Sequence, residues 1–196
     1  VADCRFVTSK YWPAMDAYTK VIEIKSIDAD YAYFQKAICY GFVSKNDKKI
    51  EELNAFLQLY PKSEYRDDAL FELGNTYVAM NKEDLAIKTY DRLNTEFKKG
   101  SFTSRAILRQ GLVYYNSDKN DQALLKFKKV VADFPRTPEA LEAVATARLI
   151  YVDGGRVDEY ANWVRTLDFV AVTDAELDND TYEAAEKQFQ QNNTKQ

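Results

Sequence analysis

Apolar positions recur three and four apart through most of this chain, and short polar breaks interrupt them at regular intervals. Between residues 66 and 80, Ala69, Leu70, Leu73, Tyr77 and Met80 fall on one stripe of an α-helix. After a break at Asn81-Lys82, a second stripe follows in Leu85, Ile87, Tyr90, Leu93 and Phe97. Asn81 is placed to cap this second helix, with Asp84 in its first turn to complement the helix dipole. The pattern predicts two helices, A and B, folded back on each other.

The same pattern returns. Gly111 − Gly74 is 37 residues, and the equivalent positions one period either side are Ala37 and Arg148. Three places after each stands a tyrosine: Tyr40, Tyr77, Tyr114 and Tyr151. Twelve places on come Lys49, Ala86, Ala123 and Tyr160; sixteen places on come Leu53, Tyr90, Phe127 and Val164. Residues 2 to 26 form a partial earlier copy, with Ala2, Ala14, Tyr18 and Val21 in these roles. Small residues at Gly74 and Ala86 let the A and B helices cross closely, and the aromatic residues fill the space toward the next copy. A lone hairpin leaves one apolar face wet, so the copies must stack. The expected organisation is one array over 1–196: a partial repeat at 1–26, repeats at 28–64, 65–101, 102–138 and 139–170, and a helix at 174–191. Tyr60-Pro61-Lys62-Ser63 and Phe134-Pro135-Arg136-Thr137 separate copies. There proline ends a B helix, Ser63 or Thr137 caps the next A helix, and Pro138 takes its first position.

Two details stand outside the repeat. Residues 174–191 carry a stripe of Tyr182, Ala185 and Phe189, with Asp180 and Glu183 as a capping-box-like start. They are either a terminal helix covering the last hairpin or the A helix of a further copy. Val1 is not a start methionine, and 1–10 has no signal-peptide pattern, so the chain reads as a piece of a longer protein with flanking repeats as neighbours.

Composition narrows the chemistry. Only six Gly and four Pro in 196 residues argue against many short strands. A net charge of −4 gives no general attraction to nucleic acid, and no apolar run is long enough to span a membrane. The absence of histidine removes imidazole bases, histidine-dependent triads and histidine-ligated metals. No catalytic residue, metal site or cofactor is therefore expected. Asp178-Asn179-Asp180 lacks the glycine and spacing of a calcium loop, and Gly154-Gly155 does not fit a phosphate loop. Cys4 and Cys39 occupy equivalent positions in successive copies, too far apart for a disulfide, and read as reduced packing residues.

The stretches "LGNTY…LAIKTY" and "QGLVYY…QALLKF…FP" resemble tetratricopeptide (TPR) repeats, which carry Gly/Ala, Tyr, Ala, Phe/Tyr and Pro at these offsets. The likeness covers roughly residues 1 to 170; Lys49, Arg148 and Tyr160 depart from it. It implies an all-α, right-handed superhelical solenoid of antiparallel helix hairpins, with the A helices lining a concave face. The junction "YPKSEYRDDALFELG" is similar to TPR proteins of the Gram-negative cell envelope, of the outer-membrane assembly lipoprotein or Tol–Pal partner type. That likeness implies a periplasmic or outer-membrane-associated setting.

On the implied concave face stand Phe6; Phe34, Ile38 and Phe42; Phe71, Asn75 and Val78; Leu108, Leu112 and Tyr115; Leu149 and Val152. So much apolar surface in one place marks a partner site for a peptide or helix of another protein. Arg105 and Arg109 stand four apart on one A helix, where TPR co-chaperones grip a peptide carboxylate. The rest of that clamp is missing, since Phe34, Ile38 and Glu72 occupy the other clamp positions. An inter-repeat ladder, Asp68–Arg105 and Glu72–Arg109, is the alternative. The expected function is a non-enzymatic interaction scaffold. An architectural spacer within a longer envelope protein, or an accessory domain of an enzyme, are the alternatives.

Overall fold

The computed structural model describes residues 1–193, and the described residues form eleven α-helices and no strand. These are α1 (Ala2–Val7), α2 (Tyr11–Glu23), α3 (Ala29–Phe42), α4 (Asn46–Leu59), α5 (Arg66–Ala79) and α6 (Glu83–Glu96). Then follow α7 (Thr103–Asn116), α8 (Asn120–Asp133), α9 (Pro138–Asp153), α10 (Val157–Val164) and α11 (Asp174–Asn193). The protein is all-α, built of consecutive helical hairpins. No described helix is long and apolar enough to cross a membrane.

Every A helix ends in the same way. Ser9, Ser44, Asn81, Asp118 and Gly155 all have positive φ, between +54° and +65°. The Asn81 N–H donates to the Val78 carbonyl at 3.0 Å, and the Lys82 N–H reaches back to Tyr77 at 2.9 Å. This pair of bonds satisfies carbonyls that the end of α5 leaves without helical partners, and it recurs at each of the other four turns. Asn81 is therefore not the cap of α6: that position is Lys82, and no side-chain cap bond forms. A short polar residue tolerates the left-handed conformation, and that need decides its place. A basic residue follows each turn (Lys10, Lys45, Lys82, Lys119, Arg156), where the C-terminal dipole favours a cation.

The chain divides into two compact units, Val1–Ala106 and Ile107–Gln196. In the first, α1 to α6 pack each on the next in chain order. Its core runs from Ala14, Met15 and Tyr18 through Leu53 and Phe56 to Leu70, Tyr90 and Leu93. Gly74 lies against the Tyr90 ring. The equivalent pair one copy earlier is Ala37 and Leu53, both fully buried, so a smaller partner accompanies the larger residue at the crossing. Leu85 of the expected B stripe is instead exposed. Ser63 does not cap α5; its hydroxyl donates to Asp30 of the preceding copy at 2.6 Å.

In the second unit α9 packs on α8, α10 and α11. Gly111 meets the Phe127 ring as Gly74 meets Tyr90. Thr137 caps α9, its hydroxyl accepting from the Ala140 N–H at 3.2 Å, with Pro138 at the first turn. Arg148 stands where earlier copies have Gly or Ala. Its guanidinium grips the Asp180 carboxylate of α11, with Nε at 3.0 and 2.9 Å from the two oxygens.

That pair also corrects the expectation for α11. The helix begins at Asp174, not near Asp180, behind a capping box in which Thr173 and Glu176 exchange side-chain-to-backbone bonds of 3.2 and 2.7 Å. Its packed face is Leu177, Asp180 and Ala184, while Tyr182 and Phe189 are 71% and 67% exposed. Asp180 is buried because Arg148 neutralises it, which turns the helix away from its apolar stripe. Val152 is accordingly covered by Ala184 and Val157 and presents no free surface.

Cys39 is buried and Cys4 exposed, both as free thiols. Burial pushes the Cys39 thiol up to about 11. The expectation of a packing cysteine thus fits Cys39 but not Cys4, which sits on a short helix with no buried residue.

Candidate functional site

Within the first unit, successive A helices leave a groove with a volume of about 510 Å³. It forms because α1, α3 and α5 offer their aromatic positions to one side while their small residues face the B helices. Phe6, Phe34, Ile38, Phe42, Phe71 and Asn75, which the TPR likeness set on one face, all line it.

The walls are aromatic and largely preorganised. Phe34 stacks on Tyr65 with ring centroids 5.9 Å apart and an interplanar angle of 9°. Phe71 stacks on Phe102 at 4.9 Å. Being only 7% and 9% exposed, Phe34 and Phe71 are edges of the core that form the groove's floor, not free-standing anchors. Phe42 is the exposed aromatic, at 56%, and it stacks on Tyr11 at 4.7 Å. Asn75 turns its side-chain oxygen toward Tyr90, whose hydroxyl donates to it at 2.8 Å. That bond ties the groove wall to the hairpin crossing beneath it.

The polar residues were less legible. Lys49 replaces the small residue of the B helix, and its stem lies against Gly41, which offers no Cβ to obstruct it. Its ammonium donates to Glu72 at 2.6 Å, and both line the groove together with Asp68, Gln35 and Asn46. The signal was present in the sequence: the copy with Lys49 at the small position also has Gly41, where the other copies have Phe6, Val78, Tyr115 and Val152. Asp68 shares the α5 face with Phe71 and Glu72. Burial pushes its carboxyl up from the usual range, and the charges of Asp67 and Glu72 add to this, against its own backbone hydrogen bond.

The remaining expected site residues are placed as follows. Val78 is half-buried against the first unit's core. Arg105 is exposed, its guanidinium 5.8 Å from the centroid of the Phe102 ring. In the second unit, Leu108 is buried in the core, Leu112 and Tyr115 pack against it, and Arg109 is exposed. Of the expected ladder residues, Glu72 has its carboxylate engaged by Lys49.

With helices and groove in view, the class is defined. Residues 68–99 and 105–137 match the tetratricopeptide repeat family, so these two stretches are TPR repeats. No curated protein matches it in sequence. Among solved structures the fold is similar to MamA, at 19% identity and a TM-score of 0.65, with 98% of this chain and 97% of that one covered. It is similar to a putative kinesin light chain of Podosopora anserina with nearly identical TPR-like repeats, at 14% identity and a TM-score of 0.63, covering 85% and 89%. It is also similar to YrrB, described as a TPR protein with an unusual peptide-binding site, at 17% identity and 0.60, covering 95% and 88%. At these identities the likeness establishes the fold. TPR folds generally mediate protein–protein interaction and are generally non-enzymatic.

Proposed function

We propose that this chain is a non-enzymatic scaffold that holds a peptide or helical segment of another protein on its A helices. The groove on the first unit is the primary seat. The observation that supports this is the groove itself: about 510 Å³ walled by preformed aromatic stacks, with polar groups from Lys49, Glu72 and Asp68 to orient what enters. A concave, mostly apolar site with a few convergent polar groups is what peptide recognition requires. Preformed stacks reduce the ordering cost of binding. Arg105, on the A helix that follows, belongs to the same proposal with Asn75 as a residue that orients the bound segment. The cell-envelope setting implied by the junction at residues 60–74 belongs to the same proposal, and fractionation of the native host tests it.

The groove is tested with Ala79→Trp. Ala79 lines the groove yet is exposed, so a large side chain there blocks the site without disturbing the core. Peptides selected from a random display library on the full chain should lose binding to this variant while its thermal melt stays unchanged. Selected peptides that bind both proteins equally would remove the groove from the proposal.

A further inference from the structure

We propose that the segment taken by the groove carries a lysine or arginine among apolar residues, and that Asp68 receives its cation. This rests on the groove being a peptide site and adds the chemistry of its occupant.

Charge is the first argument. Of the ionisable residues lining the groove, Lys49 is a cation and Asp68 and Glu72 are carboxylates. Lys49 is committed to Glu72 at 2.6 Å, so it does not serve the second carboxylate of the lining. That carboxylate is Asp68, half-buried on α5, with Asp67 and Glu72 as acidic neighbours. An incoming anion meets repulsion there. An incoming cation relieves both the crowding of acids and the partial loss of water around Asp68.

The aromatic walls supply the second argument. Phe71 lies one turn beyond Asp68 on α5, stacked on Phe102, and both rings line the groove. A ring face attracts a cation within about 6 Å of its centroid. Arg105 already stands 5.8 Å from the centroid of Phe102, so this wall holds one cation within the chain itself. A long basic side chain can lay its aliphatic stem along Phe34 and Phe71 and present its charge to Asp68. The occupant that fits is an apolar segment with an embedded basic residue. An acidic or carboxylate-terminated peptide does not fit.

The test selects a random-peptide display library on the immobilised full chain, with Ala79→Trp and Asp68→Asn selected in parallel. Clones lost on Ala79→Trp are expected to be enriched in lysine or arginine beside aromatic or aliphatic residues. For a synthetic copy of one such clone, replacing the basic residue by norleucine should weaken binding about tenfold, as expected for a partly desolvated charge pair. Asp68→Asn should do the same, and the two changes together should cost no more than either alone. Groove-dependent clones that lack a basic residue, or whose affinity is indifferent to Asp68→Asn, would overturn this inference and leave the groove intact as a peptide site. The absence of any clone sensitive to Ala79→Trp would overturn both. Self-association in solution that Ala79→Trp abolishes would put a second copy in the groove, and would also overturn it.

Discussion

The ring of Tyr90 lies so close to Gly74 that a Cβ added there would come within 2.8 Å of ring atoms Cδ1 and Cζ. The ring is fully buried and its hydroxyl is held by Asn75, so it has nowhere to swing. Gly74→Ala sets two effects against each other. Alanine favours the helix by about 0.5–1 kcal/mol, while overpacking of a rigid core costs about 1–3 kcal/mol. The clash should win, with a net loss on the order of 1 kcal/mol in urea unfolding. Pairing it with Tyr90→Leu recreates the Ala37 and Leu53 arrangement found one copy earlier, so the double variant should recover stability relative to additivity. Strict additivity would mean that the close approach carries no energetic weight.

Arg148 and Asp180 present the opposite solution at a repeat boundary. Removing the arginine leaves a carboxylate whose side chain is only 2% exposed. Breaking a buried ion pair from one side costs about 3–5 kcal/mol. Because the arginine is about a third exposed, Arg148→Ala belongs below that range, at about 2–3 kcal/mol. Asp180→Ala in the same background should restore much of the loss, since it removes the buried carboxylate that the first change leaves unpaired. A double variant no more stable than Arg148→Ala would show that the pair is not what holds α11 to α9.

These two sites mark how far the sequence could be read. Gly74, Tyr90, Gly111 and Phe127 were legible because helix crossings repeat, and a spacing of 37 residues exposes a residue's role by comparison with its equivalents. Lys49 and Arg148 broke that comparison. Each is compensated by a residue distant in sequence, Glu72 and Asp180, and periodicity within one hairpin cannot point to a partner in the next. The same blindness misplaced the buried face of α11: an apolar stripe at Tyr182 and Phe189 outweighed an aspartate that only its arginine makes buriable. Asn81 was misread for a local reason, since a short polar residue suits both an N-cap and a left-handed turn. The turn's two backbone bonds decided between them. In the groove, the TPR likeness gathered the aromatic residues on one face but could not show that Phe34 stacks on Tyr65 and Phe71 on Phe102.

The two cysteines should separate cleanly by reactivity. Cys39 is fully buried and its thiol is raised to about 11, so almost no thiolate is present or reachable at neutral pH. Cys4 is exposed on α1. Titration of the native protein with a thiol-reactive chromogen at pH 8 should label Cys4 quickly and spare Cys39, which reacts only in denaturant. Rapid labelling of both in the native state would mean that the first hairpins open far more readily than their packing implies.

Two carboxyls of the first unit should pull stability in opposite directions as pH changes. Burial, with Asp67 and Glu72 nearby, raises the folded carboxyl of Asp68. Its favourable contribution is therefore complete below the unfolded value, about 3.9, and is lost as pH rises through the folded one. Asp68→Asn should thus stabilise the protein at pH 7, by less than about 1 kcal/mol for so accessible a group, and leave it nearly unchanged at pH 3. For Glu96, burial raises the carboxyl, but hydrogen bonds from Arg92 at 2.7 Å and Arg66 at 2.8 Å outweigh it, so the folded value is lowered. Its contribution is present above the unfolded value, about 4.3, and is lost as pH falls through the folded one. Glu96→Gln should cost up to about 1 kcal/mol at pH 7, and that difference should shrink toward pH 3. Urea unfolding of the two variants at both pH values reads out all four differences. A loss of stability in Asp68→Asn at neutral pH would mean that its carboxylate is already matched by a cation within the chain, and that the groove does not wait for one from a partner.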